Sequence, residues 1–202
     1  GYDSLEWLGS QVWCNGKIGM WGRSYGALVQ WQLAPLANPR LTCLAPHVIP
    51  DDYFHDYHYV GGAFQLALPV AAMIIWETNI ETALQGSAFL FNNHRFFRHL
   101  PLIELDVEAL GRKVPYWRDW LLHGTNDEYW KALSTPGKHS HIDVPIFQQC
   151  GWFDPYVRPT FRNLDSMVNS SGSESARKGQ KVLIGPWSHD EPESSRMGEI
   201  DF

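Results

Sequence analysis

Three residues of this chain have the types needed for acyl transfer, and each sits in a short segment with turn chemistry of its own. Ser24 lies in Gly22-Arg23-Ser24-Tyr25-Gly26, Asp154 closes Gly151-Trp152-Phe153-Asp154, and His189 closes Ile184-Gly185-Pro186-Trp187-Ser188-His189. A serine hydroxyl is a poor nucleophile until a base takes its proton, and imidazole titrates where such a base must work. A carboxylate beside the imidazole selects its tautomer and stabilises the imidazolium. Gly-x-Ser-x-Gly alone is weak, because an idle glycine-flanked turn also satisfies it. Its context carries more. The motif ends a short apolar run and opens a helical one, and an acid and a histidine follow in the order Ser, Asp, His.

The elements that must position these groups can be read from periodicity and turn residues. Asp3-Ser4-Leu5-Glu6 has a capping-box pattern and opens a short helix through Leu8. Ile18 to Trp21 reads as a buried strand after the Asn15-Gly16 turn, Ala27 to Leu36 as a helix that Pro39 helps to stop, and Leu41 to Ala45 as a second strand. From Pro50 an acidic, aromatic and histidine-rich segment leads into helices around Phe64 to Leu84, Asp106 to Leu110, Tyr116 to Leu122 and Asp127 to Leu133. Val144 to Cys150 is strand-like again, Thr160 to Val168 helical, and Lys181 to Ile184 a last strand, with a polar Ser/Gly-rich surface loop at Ser170 to Gln180. This order gives an α/β fold, part of a parallel sheet with helices inserted. Reactive groups gather at the carboxyl ends of such strands, where Ser24, Asp154 and His189 all fall. Helix entry also aims backbone N–H groups, Tyr25's first, at a developing oxyanion.

These segments resemble the X-Pro dipeptidyl-peptidase-like acyl hydrolases, a group that includes the cocaine esterases, the α-amino-acid ester hydrolases and many acyl esterases. The likeness extends to Gly1-Tyr2-Asp3-Ser4-Leu5-Glu6-Trp7-Leu8, Gly61-Gly62-Ala63-Phe64 and Asp127-Glu128-Tyr129-Trp130. It implies an α/β-hydrolase fold: core over 1–52, a helical cap over 53–140, and core again over 141–202. It also implies Ser24 as nucleophile, Asp154 as triad acid and His189 as general base, with the Tyr25 amide on the oxyanion. Three departures stand out. The upstream loop whose tyrosine assists the oxyanion in cocaine-esterase-like members has no counterpart here. The family's C-terminal jelly roll is not reached, so with no initiator Met the chain is expected to be a piece of something longer, lacking the first strands of the sheet. Pro155-Tyr156-Val157 stands where α-amino-acid ester hydrolases carry ammonium-binding acids.

Composition bounds the alternatives. With 202 residues, 44% of them hydrophobic, the chain can bury a substantial core. A net charge of −6 with mixed signs argues against nucleic acid or an anionic membrane as main partner. The longest apolar run, Ala63 to Trp76, contains Gln65 and Pro69 and is too short to span a bilayer. Cys14, Cys43 and Cys150 are odd in number and far apart, so they read as buried apolar thiols in a reducing compartment.

Each singled-out residue has a structural alternative. Asp154 can cap the helix after Pro155, and His189 can be a loop histidine beside Asp190. Asp51, Asp52, His55, Asp56 and His58 read better as a polar, partly solvated entry to the cap than as a metal site, for lack of a second ligand set of recognised spacing. His139 and His141 read as solvated surface, and Trp117, Trp120, Tyr129 and Trp130 as cap core. The sequence thus favours a serine-dependent ester or amide hydrolase acting on small molecules, with no metal or organic cofactor required. Two alternatives remain open. One is a peptidase releasing X-Pro dipeptides, with Asp51, Asp52, Asp56 or Glu77 holding the free amine. The other is a non-catalytic binding module that keeps the triad.

Overall fold

The computed structural model describes residues 1–78, 96–189 and 195–201. The chain forms two compact units, one made of residues 1–52 with 133–202 and the other of residues 53–132.

The first unit is built on four parallel strands in the order β1-β2-β3-β4: β1 (Ile18–Arg23), β2 (Leu41–His47), β3 (Phe147–Gly151) and β4 (Lys181–Gly185). β1 pairs with β2 from Ile18–Leu41 to Arg23–His47, and β3 with β4 from Phe147–Lys181 to Gly151–Gly185. The β2–β3 seam is thinner, joined at His47–Gln149 and by a bridge between Leu44 and Ile146. Parallel pairing requires crossovers, and helices supply them. Helix α1 (Tyr2–Gly9) precedes the sheet, and α2 (Tyr25–Leu33) carries the chain from β1 towards β2. In α2, Ala27, Leu28, Gln30, Trp31 and Leu33 are buried, the i, i+3, i+4 recurrence of a helix packed on a sheet. The helix expected to Leu36 tightens into a 3-10 turn over Ala34–Leu36, because Pro35 has no N–H to continue the α pattern.

Helix α7 (Val157–Ser170) links β3 to β4 and packs against both strands. The segment 170–180, expected as loop, contains a short helix, α8 (Glu174–Lys178). The Ser173 hydroxyl caps it by accepting from the Ala176 amide at 3.0 Å, so a serine that reads as loop composition serves as an N-cap. A two-stranded antiparallel ribbon, β5 (Arg196–Met197) with β6 (Ile200–Asp201), follows.

The second unit is helical: α3 (Ala67–Glu77), α4 (Leu105–Leu110), α5 (Pro115–Leu122) and α6 (Glu128–Leu133), the last crossing its boundary. Helix α3 is shorter than expected because Thr78 is extended, and the rest of that expectation, from residue 79, lies outside the described residues. Trp117, Trp120 and Trp130 are buried, while Tyr129 is half-buried. Asp106 is buried too, and its carboxylate is fully engaged. It accepts from the Val107 and Val114 amides at 2.8 Å each, and Arg118 donates to both oxygens at 2.9 and 3.0 Å. A buried carboxylate with four donors supplies direction where apolar packing alone does not. Among the described residues no helix is long and apolar enough to cross a membrane.

Candidate functional site

The carboxyl ends of β1, β3 and β4 bring Ser24, Asp154 and His189 together. Ser24 sits between β1 and α2 with φ 51° and ψ −118°, a conformation that an L-residue adopts only under constraint. Its amide donates to the His47 carbonyl of the neighbouring strand at 3.0 Å, and its carbonyl accepts from Ala27 and Leu28 at 2.9 and 3.0 Å. Ser24 Oγ lies 3.3 Å from His189 Nε2, and His189 Nδ1 lies 2.8 Å from Asp154 Oδ2. A carboxylate only accepts, so Nδ1 carries the proton and Nε2 presents its lone pair to the serine hydroxyl. Asp154 is 3% exposed, and its other oxygen accepts from the Tyr156 amide at 2.8 Å. Asp154 is not the cap of the helix that follows, whose N-cap is Tyr156; one of its oxygens takes the Tyr156 amide in the turn before that helix and the other takes His189. Tyr25 is the first residue of α2, so its amide belongs to the helix's opening turn beside Ser24.

Close backbone approach makes this geometry possible. A Cβ on Gly22 would lie 2.9 Å from the Gly26 carbonyl oxygen, which is why the elbow demands glycine there. Gly26 itself has open space where a Cβ would go. The loop after β4 folds over the end of β3, with the Trp152 amide donating to Gly185 O at 2.9 Å and the Phe153 amide to Trp187 O at 3.0 Å. A Cβ on Gly151 would meet the Trp187 carbonyl at 2.0 Å. Any side chain at Gly151 would therefore force the backbone of the loop that carries His189 to shift.

Several participants are not evident from motif reading. The buried Gln30 amide donates to Gly26 O at 2.9 Å and accepts from the Ala45 amide at 3.1 Å, tying the elbow helix to β2. Its place inside α2, where a polar residue must be satisfied, was the available signal. The Tyr156 ring meets His189 edge-on, with centroids 5.6 Å apart. Val48, at the end of β2, has φ 49°, an outlier for a β-branched residue, and its amide donates to Gln149 O at 3.0 Å.

Other expectations change. Of the cysteines only Cys150 is buried, Cys14 being half-buried and Cys43 exposed. Burial pushes the Cys150 thiol up to about 11, which makes it an inert apolar group. His139, expected at the surface, is buried edge-on against Trp31. Asp51, Asp52 and His58 are buried as well, in place of a solvated entry, while His55 is exposed. Among the described residues no three His, Cys, Asp or Glu side chains converge as a metal-ligand set.

A family model described as X-Pro dipeptidyl-peptidase (S15 family) matches residues 1–191. The chain belongs to this family. Among relatives, the cocaine esterase of Rhodococcus sp. (strain MB1 Bresler) is 28% identical over 204 aligned positions, taking in 93% of this chain and 33% of the relative. Two solved structures share the fold of this S15-family chain. An aminopeptidase from a marine sediment Thaumarchaeota archaeon superposes with TM-score 0.73 at 17% identity, over 100% of this chain and 34% of its own. A CocE/NonD family hydrolase from Staphylococcus aureus does so with TM-score 0.61 at 22% identity, over 91% and 27%. The parallel sheet with its connecting helices is thus part of an α/β-hydrolase fold, and the chain spans about a third of the length of the cocaine esterase it matches.

Proposed function

We propose that this chain carries the acyl-transfer centre of a serine hydrolase acting on an ester or amide carbonyl. Ser24 Oγ attacks the carbonyl carbon as its proton passes to His189 Nε2. Asp154 holds the ring in the tautomer that makes this possible and stabilises the imidazolium. The Tyr25 amide faces the oxyanion of the tetrahedral intermediate. Collapse expels the leaving group with the proton from His189. Water, deprotonated by the same nitrogen, then attacks the acyl-enzyme and returns Ser24 to its starting state. In this reading the segment 53–140 is the cap insertion. The observation that carries the reading is the pair of contacts on one imidazole, 3.3 Å to Ser24 Oγ and 2.8 Å to Asp154 Oδ2, from three strand ends far apart in sequence. The description of the matching family favours a second substrate reading, in which the scissile bond follows an X-Pro dipeptide.

A fluorophosphonate probe tests the activation of Ser24 directly. We expect stoichiometric phosphonylation of Ser24 by mass spectrometry and none in Ser24→Ala. A folded chain that takes up no probe at Ser24 would overturn the proposal. Comparing p-nitrophenyl acetate with alanyl-proline p-nitroanilide separates the two substrate readings.

A further inference from the structure

We propose that Asp51 is a positioning residue of the Ser24–His189–Asp154 centre, acting through Arg162 and Asn163 on the helix that follows Asp154. The proposal rests on the reading of that centre given above.

Asp51 is 2% exposed, four residues past β2 and just before the chain leaves for the second unit. Arg162 Nη2 donates to its Oδ1 at 2.7 Å. Asn163, with its amide nitrogen turned to the carboxylate, donates to both oxygens. His139 Nε2 lies 3.7 Å from Oδ2. Burial is the largest influence on His139 and lowers its pKa. Arg162 and Asp51 form the ion pair of this cluster. Main-chain bonds close it: the Thr135 amide donates to Asp51 O at 2.9 Å, where the chain returns from the second unit.

Such a pair is a poor source of net stability, since desolvation offsets most of its attraction. What it supplies is a fixed direction, and what it fixes is α7. Arg162 and Asn163 sit in the second turn of α7, whose N-cap is Tyr156. The Tyr156 amide donates to Asp154 Oδ1, and its ring packs on His189. At the other end of the linkage, Asp51 follows β2 by four residues, and β2 supplies the carbonyl that accepts the Ser24 amide. Asp51 thus joins the strand that holds the nucleophile's backbone to the helix that orients the acid and base. No member of the cluster needs to touch substrate for this. A shift of about 1 Å in α7 is enough to matter, because misplacement of that size from a distant change can cost on the order of 10²-fold in rate.

The test compares wild type, Asp51→Asn, Arg162→Met and Arg162→Lys in the full chain. Three quantities are measured: the rate of fluorophosphonate labelling at Ser24, the low-field proton resonance of the His189 Nδ1–H to Asp154 hydrogen bond, and the thermal midpoint. We expect Asp51→Asn and Arg162→Met to label on the order of 10–10²-fold more slowly, with the low-field resonance lost or broadened. Arg162→Lys, which keeps the charge, should recover much of both. A lowered midpoint with wild-type labelling and an intact resonance would show a merely structural cluster and overturn the proposal. If Asp51→Asn does not fold, the two Arg162 variants decide by the same readouts, since that side chain is 36% exposed and can be changed at the surface. If wild type itself does not label, the functional reading fails separately, and the resonance alone still tests the link to Asp51.

Discussion

Asp154 illustrates how one carboxylate sets the state of a site. Oδ1 takes the Tyr156 amide and Oδ2 takes His189 Nδ1, so both oxygens face donors. An asparagine in its place can still accept from Tyr156 with its oxygen, which leaves the start of α7 intact. Its NH2 group then faces His189, and Nδ1 must become the acceptor, moving the ring proton to Nε2 against Ser24. We therefore expect Asp154→Asn to fold with an unchanged circular dichroism spectrum and to lose roughly 10²–10⁴-fold in Ser24 labelling rate. Near-normal labelling would mean that another acid orients the base. Ser24, Asp154 and His189 were legible in the sequence because each carries its context locally, in glycines and turn residues within a few positions. Asp51 and His139 were not, because Arg162, the partner that makes a buried carboxylate tolerable, lies 111 residues away from Asp51.

The same distinction governs the elements. Strands and helices with strong periodicity or a clear stop signal, such as β1, β2, α5 and β4, fall within a few residues of where the sequence puts them. Boundaries drift where tertiary bonds extend an element, as when β2 runs on to His47 to pair with β3. The segment around His58 shows a second limit. Polar composition suggested solvent, yet Tyr53 stacks on the imidazole at 5.8 Å, and Tyr57, Trp120 and Trp130 approach within 4.7, 4.6 and 4.5 Å. Nδ1–H donates to Tyr53 O at 2.9 Å, and burial lowers the pKa to about 4 from 6.5, against a smaller opposing effect of that bond. The folded state therefore prefers the neutral ring, while the unfolded chain takes up a proton as pH falls through 6.5. The stability this preserves is present above pH 6.5 and is lost as pH falls towards 4, by about 3 kcal/mol for this group. Thermal melts across that window should show His58→Phe with a flatter pH dependence than wild type. Parallel curves for the two proteins would remove His58 from the account.

At the scale of the whole molecule, the distribution of aromatic residues sets behaviour in solution. β1 is an edge of the sheet among the described residues, and edge strands offer unpaired backbone groups to other chains. Trp21 on β1 is 73% exposed, with Trp7 at 61% and Trp13 at 68% just upstream. Trp7 and Leu8 also line an open groove with Asp3 and Ser4. Large aromatics left in water cost roughly 25 cal/mol for each square ångström of apolar surface, so association that covers them is favoured. The net charge of −6 opposes this only weakly once salt screens it. We expect the 202-residue chain, purified on its own, to associate in a concentration-dependent way by size exclusion with light scattering. Raising salt should increase the association, as expected when charge repulsion is what resists contact between apolar surfaces. Trp21→Lys should reduce it by placing a solvated cation on the exposed face of β1, while Ser24 labelling continues because that side chain is not part of the reacting group. A wild-type chain that stays monomeric at high micromolar concentration and high salt would show that this face is adequately protected, and that exposed aromatic area does not decide the molecule's state.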